Sequence, residues 1–79
     1  MNDLRVFVMV AQLRSIRNAA TLLHMSDDAV SRTIDRVERE SNSRLFTRHN
    51  RGGVKLTPIG EDLLEFALPM VRTFGSLPI

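Results

Sequence analysis

The apolar pattern of the chain predicts a mainly α fold: three helices, a two-stranded hairpin and a fourth, C-terminal helix. Three observations carry this reading. Leu4, Phe7, Val8 and Ala11, and again Ile16, Ala19, Ala20 and Leu23, recur at i, i+3, i+4 and i+7, the spacing that lines one face of an α-helix. Leu45-Phe46 and Val54-Lys55-Leu56 are short apolar pieces on either side of Gly52-Gly53, as in a hairpin. Thr57-Pro58 then opens a longer apolar stripe with a good N-cap residue and a proline suited to the first helical position.

In the first helix, Asn2 or Asp3 can supply the cap. Beside the Leu4 stripe runs a second one, Val6, Val10 and Leu13, so this helix has two apolar faces and needs two partners. The first face is assigned to the domain core; the second packs either on the C-terminal helix or on another subunit. Ser15 caps the second helix, where the small Ala19-Ala20 pair lets a neighbouring helix approach closely. Leu23-His24-Met25 makes the following turn, with Leu23 and Met25 inward. His24 reads as a turn residue, because no histidine, cysteine or acid stands beside it at metal-ligand spacing.

The third helix is expected from Asp27 to about Glu40. The Ser26 hydroxyl can accept a hydrogen bond from a free N–H of the first turn, and Asp27 and Asp28 suit the positive end of the helix dipole. Val30, Ile34 and Val37 form its buried stripe, which leaves Asp27, Asp28, Ser31, Arg32, Asp35 and Arg36 outward. Asp35 and Arg39 stand at i, i+4, an acid-to-base pair worth a few tenths of a kcal/mol. Asn42 is the candidate for the left-handed residue that ends the helix.

The hairpin that follows carries positive charge at its tip and reads as a wing. In the last helix Glu61 and Asp62 occupy the first turn, and Ile59, Leu63, Phe66, Met70 and Phe74 form one apolar stripe, widened by Leu64, Ala67 and Val71. Pro69 lacks a backbone donor, which predicts a kink or an end there, and Gly75 and Pro78 stop the helix. The order of elements is that of a winged helix-turn-helix. Residues 1–57 form the winged unit, and residues 58–79 a linker helix and tail.

Bulk properties narrow the function classes. Seventy-nine residues make one small domain with a small core, for which a partner surface is an advantage. There is no cysteine, which excludes a disulfide framework and a thiolate metal site. No apolar run is long enough to span a membrane, and Asp3 and Arg5 break any signal-peptide pattern, so a cytoplasmic location is expected. The net charge is only +2 but unevenly placed: Ser41 to Gly60 holds no acid, and carries Arg44, Arg48, His49, Arg51 and Lys55. Such a stretch is either a phosphate footprint or a solvated loop.

Motif by motif, the chain resembles the N-terminal domain of LysR-type transcriptional regulators. Leu4, Phe7, Val10 and Ala11 match the family's first helix; Ser15, Ala19-Ala20 and Leu23 its second; Ser26, Ala29-Val30-Ser31, Ile34 and Glu38 its recognition helix. Leu45-Phe46 with Arg48 matches a leucine-phenylalanine-x-arginine signature, Arg51 a wing arginine, and Leu56-Thr57-Pro58, Gly60 and Leu64 the start of the linker helix. Three departures stand out. Arg14-Ser15-Ile16 replaces a common glycine-serine-phenylalanine, Ser41-Asn42 a usual leucine-glycine, and Asp27 a usual glutamine that reads bases. The family's effector-binding domain is absent from this chain, so no small-molecule effector is expected within it. The chain is then a fragment of a longer regulator or a stand-alone domain.

The resemblance implies binding of double-stranded DNA by a homodimer, with no cofactor and no metal. The third helix would enter the major groove. Ser31 and Arg32 would reach base edges or adjacent phosphates, with contributions from Ser26, Asp28 and Arg36. Asp27 either accepts from cytosine N4 or only caps the helix. Arg51 would enter the minor groove or pair with phosphate, supported by Arg48 and Lys55. Dimerisation is expected through Leu63, Phe66, Met70 and Phe74 of the last helix against its mate and against Val6, Val10 and Leu13 of the first. Two rivals remain. One is a winged helix used only for protein contacts, for which Asp27, Asp28 and the low net charge speak. The other is an enzyme, for which Ser31 and His24 are the only pair to name, with no oxyanion donor evident.

Overall fold

The computed structural model describes residues 2–49 and 53–75. Its elements are α1 (Asn2–Leu13), α2 (Ile16–Leu23), α3 (Asp27–Ser41), β1 (Phe46–Arg48), β2 (Val54–Leu56) and α4 (Pro58–Gly75). The two strands pair antiparallel, Phe46 opposite Leu56, Thr47 opposite Lys55 and Arg48 opposite Val54. This is a winged helix-turn-helix with a fourth helix, the expected fold.

Local chemistry sets the boundaries. Ser15 Oγ accepts from the Asn18 N–H and Ser26 Oγ from the Ala29 N–H, each at 3.0 Å. These caps satisfy donors that the first turn of a helix leaves free. All three corners between α1, α2, α3 and β1 pass through one left-handed residue: Arg14 (φ 55°), His24 (φ 57°) and Asn42 (φ 53°). Arg14 occupies a conformation that glycine adopts without cost. The Arg14 carbonyl accepts from the Val54 N–H at 3.2 Å, and Ser15 bridges to Gly53. The second strand of the wing is thereby tied to the α1–α2 corner.

α1 lies at the centre and packs on α2, α3, α4 and β2. Its residues from Val6 to Ala11 are all buried. This corrects the expectation for Val6 and Val10, which are 1% and 0% exposed within their own domain and offer no surface to a second subunit. Both apolar faces of α1 find their partners inside the chain. The Phe7 and Phe46 rings meet at 5.4 Å with a 50° tilt, joining α1 to the wing. Val30 and Ile34 of α3 are buried as expected, and Thr33 joins them, its hydroxyl donating to the Ala29 carbonyl at 2.9 Å. That back-bond lets a threonine sit in an apolar interior without an orphaned polar atom. α4 continues through Pro69 to Gly75 rather than ending at the proline. Pro69 is exposed, so its missing donor is lost on the solvated side.

Two contacts join the end of α3 to the wing and α4. One Glu38 carboxylate oxygen, Oε2, accepts from the Leu45 N–H at 2.8 Å and the Phe46 N–H at 3.1 Å. Thr57 Oγ1 donates to the Arg44 carbonyl at 2.6 Å and accepts from the Gly60 N–H at 3.0 Å. Gly60 is buried against this junction; a Cβ there would overlap the Leu45 carbonyl oxygen and lie 2.8 Å from Leu56 Cδ2. Gly60→Ala should therefore destabilise the domain by about 1–3 kcal/mol, the usual cost of overpacking against backbone. Urea unfolding checks this, with a lowered midpoint and an unchanged slope expected.

Candidate nucleic-acid interface

The outward face of α3 is built as its periodicity requires. Asp27, Asp28, Arg32, Asp35 and Arg36 are exposed, Ser31 is half-buried, and the cap residue Ser26 is exposed. Ser31 and Arg32 follow the buried Val30 directly, so the register of the core stripe aims both of them outward.

The charges on this face are not equally free. Arg36 makes a two-pronged pair with Asp3 at the start of α1, Nε to Oδ2 at 3.0 Å and Nη2 to Oδ1 at 2.9 Å. Its guanidinium is engaged with the domain's own frame. Arg48, at the end of β1, donates from Nη1 to Ser31 Oγ and from Nη2 to Asp35 Oδ1, both at 2.7 Å. Asp35 thus pairs across the fold with Arg48, not along the helix with Arg39 as its i, i+4 spacing suggested. Asp27 lies 4.0 Å from Arg17 of α2, an exposed and loose pair. Arg32 enters no ion pair among the described residues. Lys55 is exposed on β2, opposite Thr47. Arg51, expected at the wing tip, lies outside the described residues.

Sequence reasoning missed the Arg48–Asp35 and Arg36–Asp3 pairs. Nothing in local spacing announces a contact between residues 13 or 33 positions apart. The resemblance did single out Glu38 and Arg48, without the geometry that gives them their partners.

A second surface feature lies on α4. Phe66 is 70% exposed, Met70 40% and Ile59 53%, whereas Ala67 and Val71 on the adjacent face are buried. Leu63 is half-buried and packs on the core, as does Leu13 of α1. The Phe74 side chain lies outside the described residues. Among the described residues no group of histidines and acids is arranged to hold a metal ion, and no helix is long and apolar enough to cross a membrane.

The Arg36 pair has a pH signature. Hydrogen bonding from Arg36, reinforced by its charge and opposed by partial burial, holds the Asp3 carboxyl below its ordinary value. Asp3 is then charged in the folded state at a pH where it is partly protonated in the unfolded chain. The stabilisation is present in full above the ordinary carboxylate range and is lost as pH falls through the lowered folded value. The side chains are 48% and 39% exposed, which keeps the effect small. Asp3→Asn should lower stability slightly near neutrality, and the difference from wild type should shrink as pH falls through the lowered folded value of Asp3. Unfolding curves near neutrality and at acid pH check this.

Residues 1–61 match the family described as "Bacterial regulatory helix-turn-helix protein, lysR family". Among characterised relatives, the HTH-type transcriptional activator IlvY of Haemophilus influenzae is 43% identical over 65 residues, covering 82% of this chain and 22% of its own length. The HTH-type transcriptional regulator CysB of Thiocapsa roseopersicina is 36% identical over 76 residues, covering 95% of this chain and 56% of its own. The chain therefore spans only about a fifth to about half of these relatives. Among solved structures, the BenM DBD/benA site 1 DNA complex superposes with a TM-score of 0.85 at 31% identity, covering 95% of this chain and 86% of that one. The CbnR DBD–DNA complex gives 0.86 at 29%, covering 95% and 85%.

Proposed function

The chain belongs to the LysR family of bacterial helix-turn-helix regulators, and from that premise we propose that it is the family's sequence-specific module for double-stranded DNA. Residues 1–57 form the binding unit and residues 58–79 the linker helix and tail. The observation that carries this reading is the outward face of α3, which presents Ser31 and an Arg32 that enters no ion pair among the described residues, beside a wing whose first strand reaches back to the same face. The two structures cited above, each a complex with DNA by its own description, lend support. α3 enters the major groove, where a well-formed bidentate base contact discriminates by about 1–3 kcal/mol. Arg32 has the geometry for such a contact. Lys55 and Arg51 place charge on the wing against phosphate or the minor groove. Ser26, Asp27 and Asp28 stand at the N-terminal end of α3. Asp27, where the family usually carries glutamine, replaces a side chain able to donate and accept with one that only accepts, and is the position where target preference departs. Arg36 serves the frame through Asp3.

The whole protein acts as a transcription regulator in the cytoplasm, without catalysis. It dimerises through α4, whose Phe66 and Met70 are too exposed to be capping the domain's own core. Pairing through α4 sets two α3 helices on one side, for half-sites about one DNA turn (~34 Å) or more apart.

Two measurements test these statements. Selection of duplexes from a random pool should recover a site whose affinity falls as salt rises, because phosphate contacts release counterions. Arg32→Ala combined with Arg51→Ala should weaken binding by about tenfold or more. Failure of the wild type to bind any duplex at low salt would instead favour a protein-contact module. In sedimentation, the chain should be dimeric at concentrations where Phe66→Glu is monomeric; a wild-type monomer at high micromolar concentration removes the α4 interface.

A further inference from the structure

Arg48 lies on the wing strand, yet its guanidinium spans two side chains of α3 that stand one helical turn apart. One amino group donates to Ser31 Oγ and the other to Asp35 Oδ1. The side chain is only 33% exposed, less than that of Asp35 at 52%. Two consequences follow from the chemistry of the groups. First, Asp35 balances the charge of Arg48 at 2.7 Å, so this arginine is not a free cation for phosphate. Second, a serine hydroxyl by itself can donate or accept. With one lone pair taken by a cationic donor, its own hydrogen is turned away from the guanidinium. No acceptor for that hydrogen is recorded among the described residues.

We infer that Arg48 is a positioning residue, which acts through Ser31 by setting the polarity of its hydroxyl so that this serine reads DNA as a hydrogen-bond donor. This inference rests on the reading of α3 as the DNA-contacting helix. The chemical class that Ser31 selects follows. It favours base-edge acceptors: N7 and O6 of guanine, N7 of adenine or O4 of thymine. It disfavours the N4 amino group of cytosine. Asp35 is part of the device, because it holds the other arm of the guanidinium and so keeps Arg48 from swinging toward the backbone of the duplex. Lysine cannot replace the arginine, since a point charge has no rigid fork to hold both acceptors.

The test uses the chain with the duplex recovered by selection, and a set of duplexes altered at the base pair that Ser31 faces. In the wild type, Ser31→Ala should reduce discrimination at that pair by about two- to tenfold, the range of a single hydrogen bond. In the charge-balanced background Arg48→Met with Asp35→Asn, discrimination should already be reduced, and adding Ser31→Ala should change it less than about twofold. The salt slope of binding should be unaltered in that background. Arg48→Lys keeps the charge, and should lose the discrimination while retaining the slope.

Three results overturn the inference while leaving DNA binding intact. One is additive effects of Ser31→Ala and the double change. Another is a salt slope reduced by about one in the Arg48→Met background, which marks a direct phosphate contact. The third is full discrimination in Arg48→Lys. A wild-type chain that binds no duplex overturns the reading of α3 itself, and is told apart from the other three by that single control. Thermal melts of each variant separate loss of reading from loss of fold.

Discussion

A single carboxylate oxygen determines where the wing begins. Glu38 Oε2, near the end of α3, takes the N–H groups of both Leu45 and Phe46. A carboxylate accepting two backbone donors is among the stronger neutral-donor arrangements, and each donor left unpaired at this half-buried junction would cost about 1–3 kcal/mol. The consequences run outward from there. Phe46 is delivered to Phe7 of α1, the Leu45 carbonyl accepts from the Thr57 N–H at 3.0 Å, and α4 starts against that carbonyl with a glycine because nothing larger fits. Two residues beyond Phe46, Arg48 arrives over the outer face of α3. α3, the wing and α4 are thus indexed to one another through the same few backbone atoms.

Charge on the α3 face is organised by long-range pairing. Of its arginines, Arg36 is held by Asp3, whereas Arg32 and Arg39 enter no ion pair among the described residues. Asp35 is matched to Arg48 and Asp3 to Arg36, so two of the acids at or beside this face are balanced by particular bases of the protein.

The elements were legible wherever their signal is local. Ser15, Ser26 and Thr57 as caps, Asn42 as the left-handed stop and the two paired strands all depend on neighbours within about ten residues, and each lies where the sequence put it. The outward set on α3 was equally readable, since a buried stripe at helical spacing defines its complement. What periodicity could not supply was the identity of partners. Val6 and Val10 formed a second apolar face, and only the packing of four elements around α1 shows that the chain itself covers it. Asp35 had an arginine at ideal helical spacing and another across the fold; the second wins because it comes with a fork that also engages Ser31. Pro69 was readable as a missing donor but not as one turned to solvent, where a helix tolerates it.

The enclosure of α1 also has a consequence in time. Its last residue is made well before α4, one of the elements packed on it, and at about 5–20 residues per second the interval is roughly 3–12 s. Throughout that interval the part of the α1 surface that packs on α4 is unmatched. Secondary structure forms in microseconds, so synthesis, and not folding, sets how long this surface waits. The nascent domain therefore exposes apolar surface that closes only once α4 emerges.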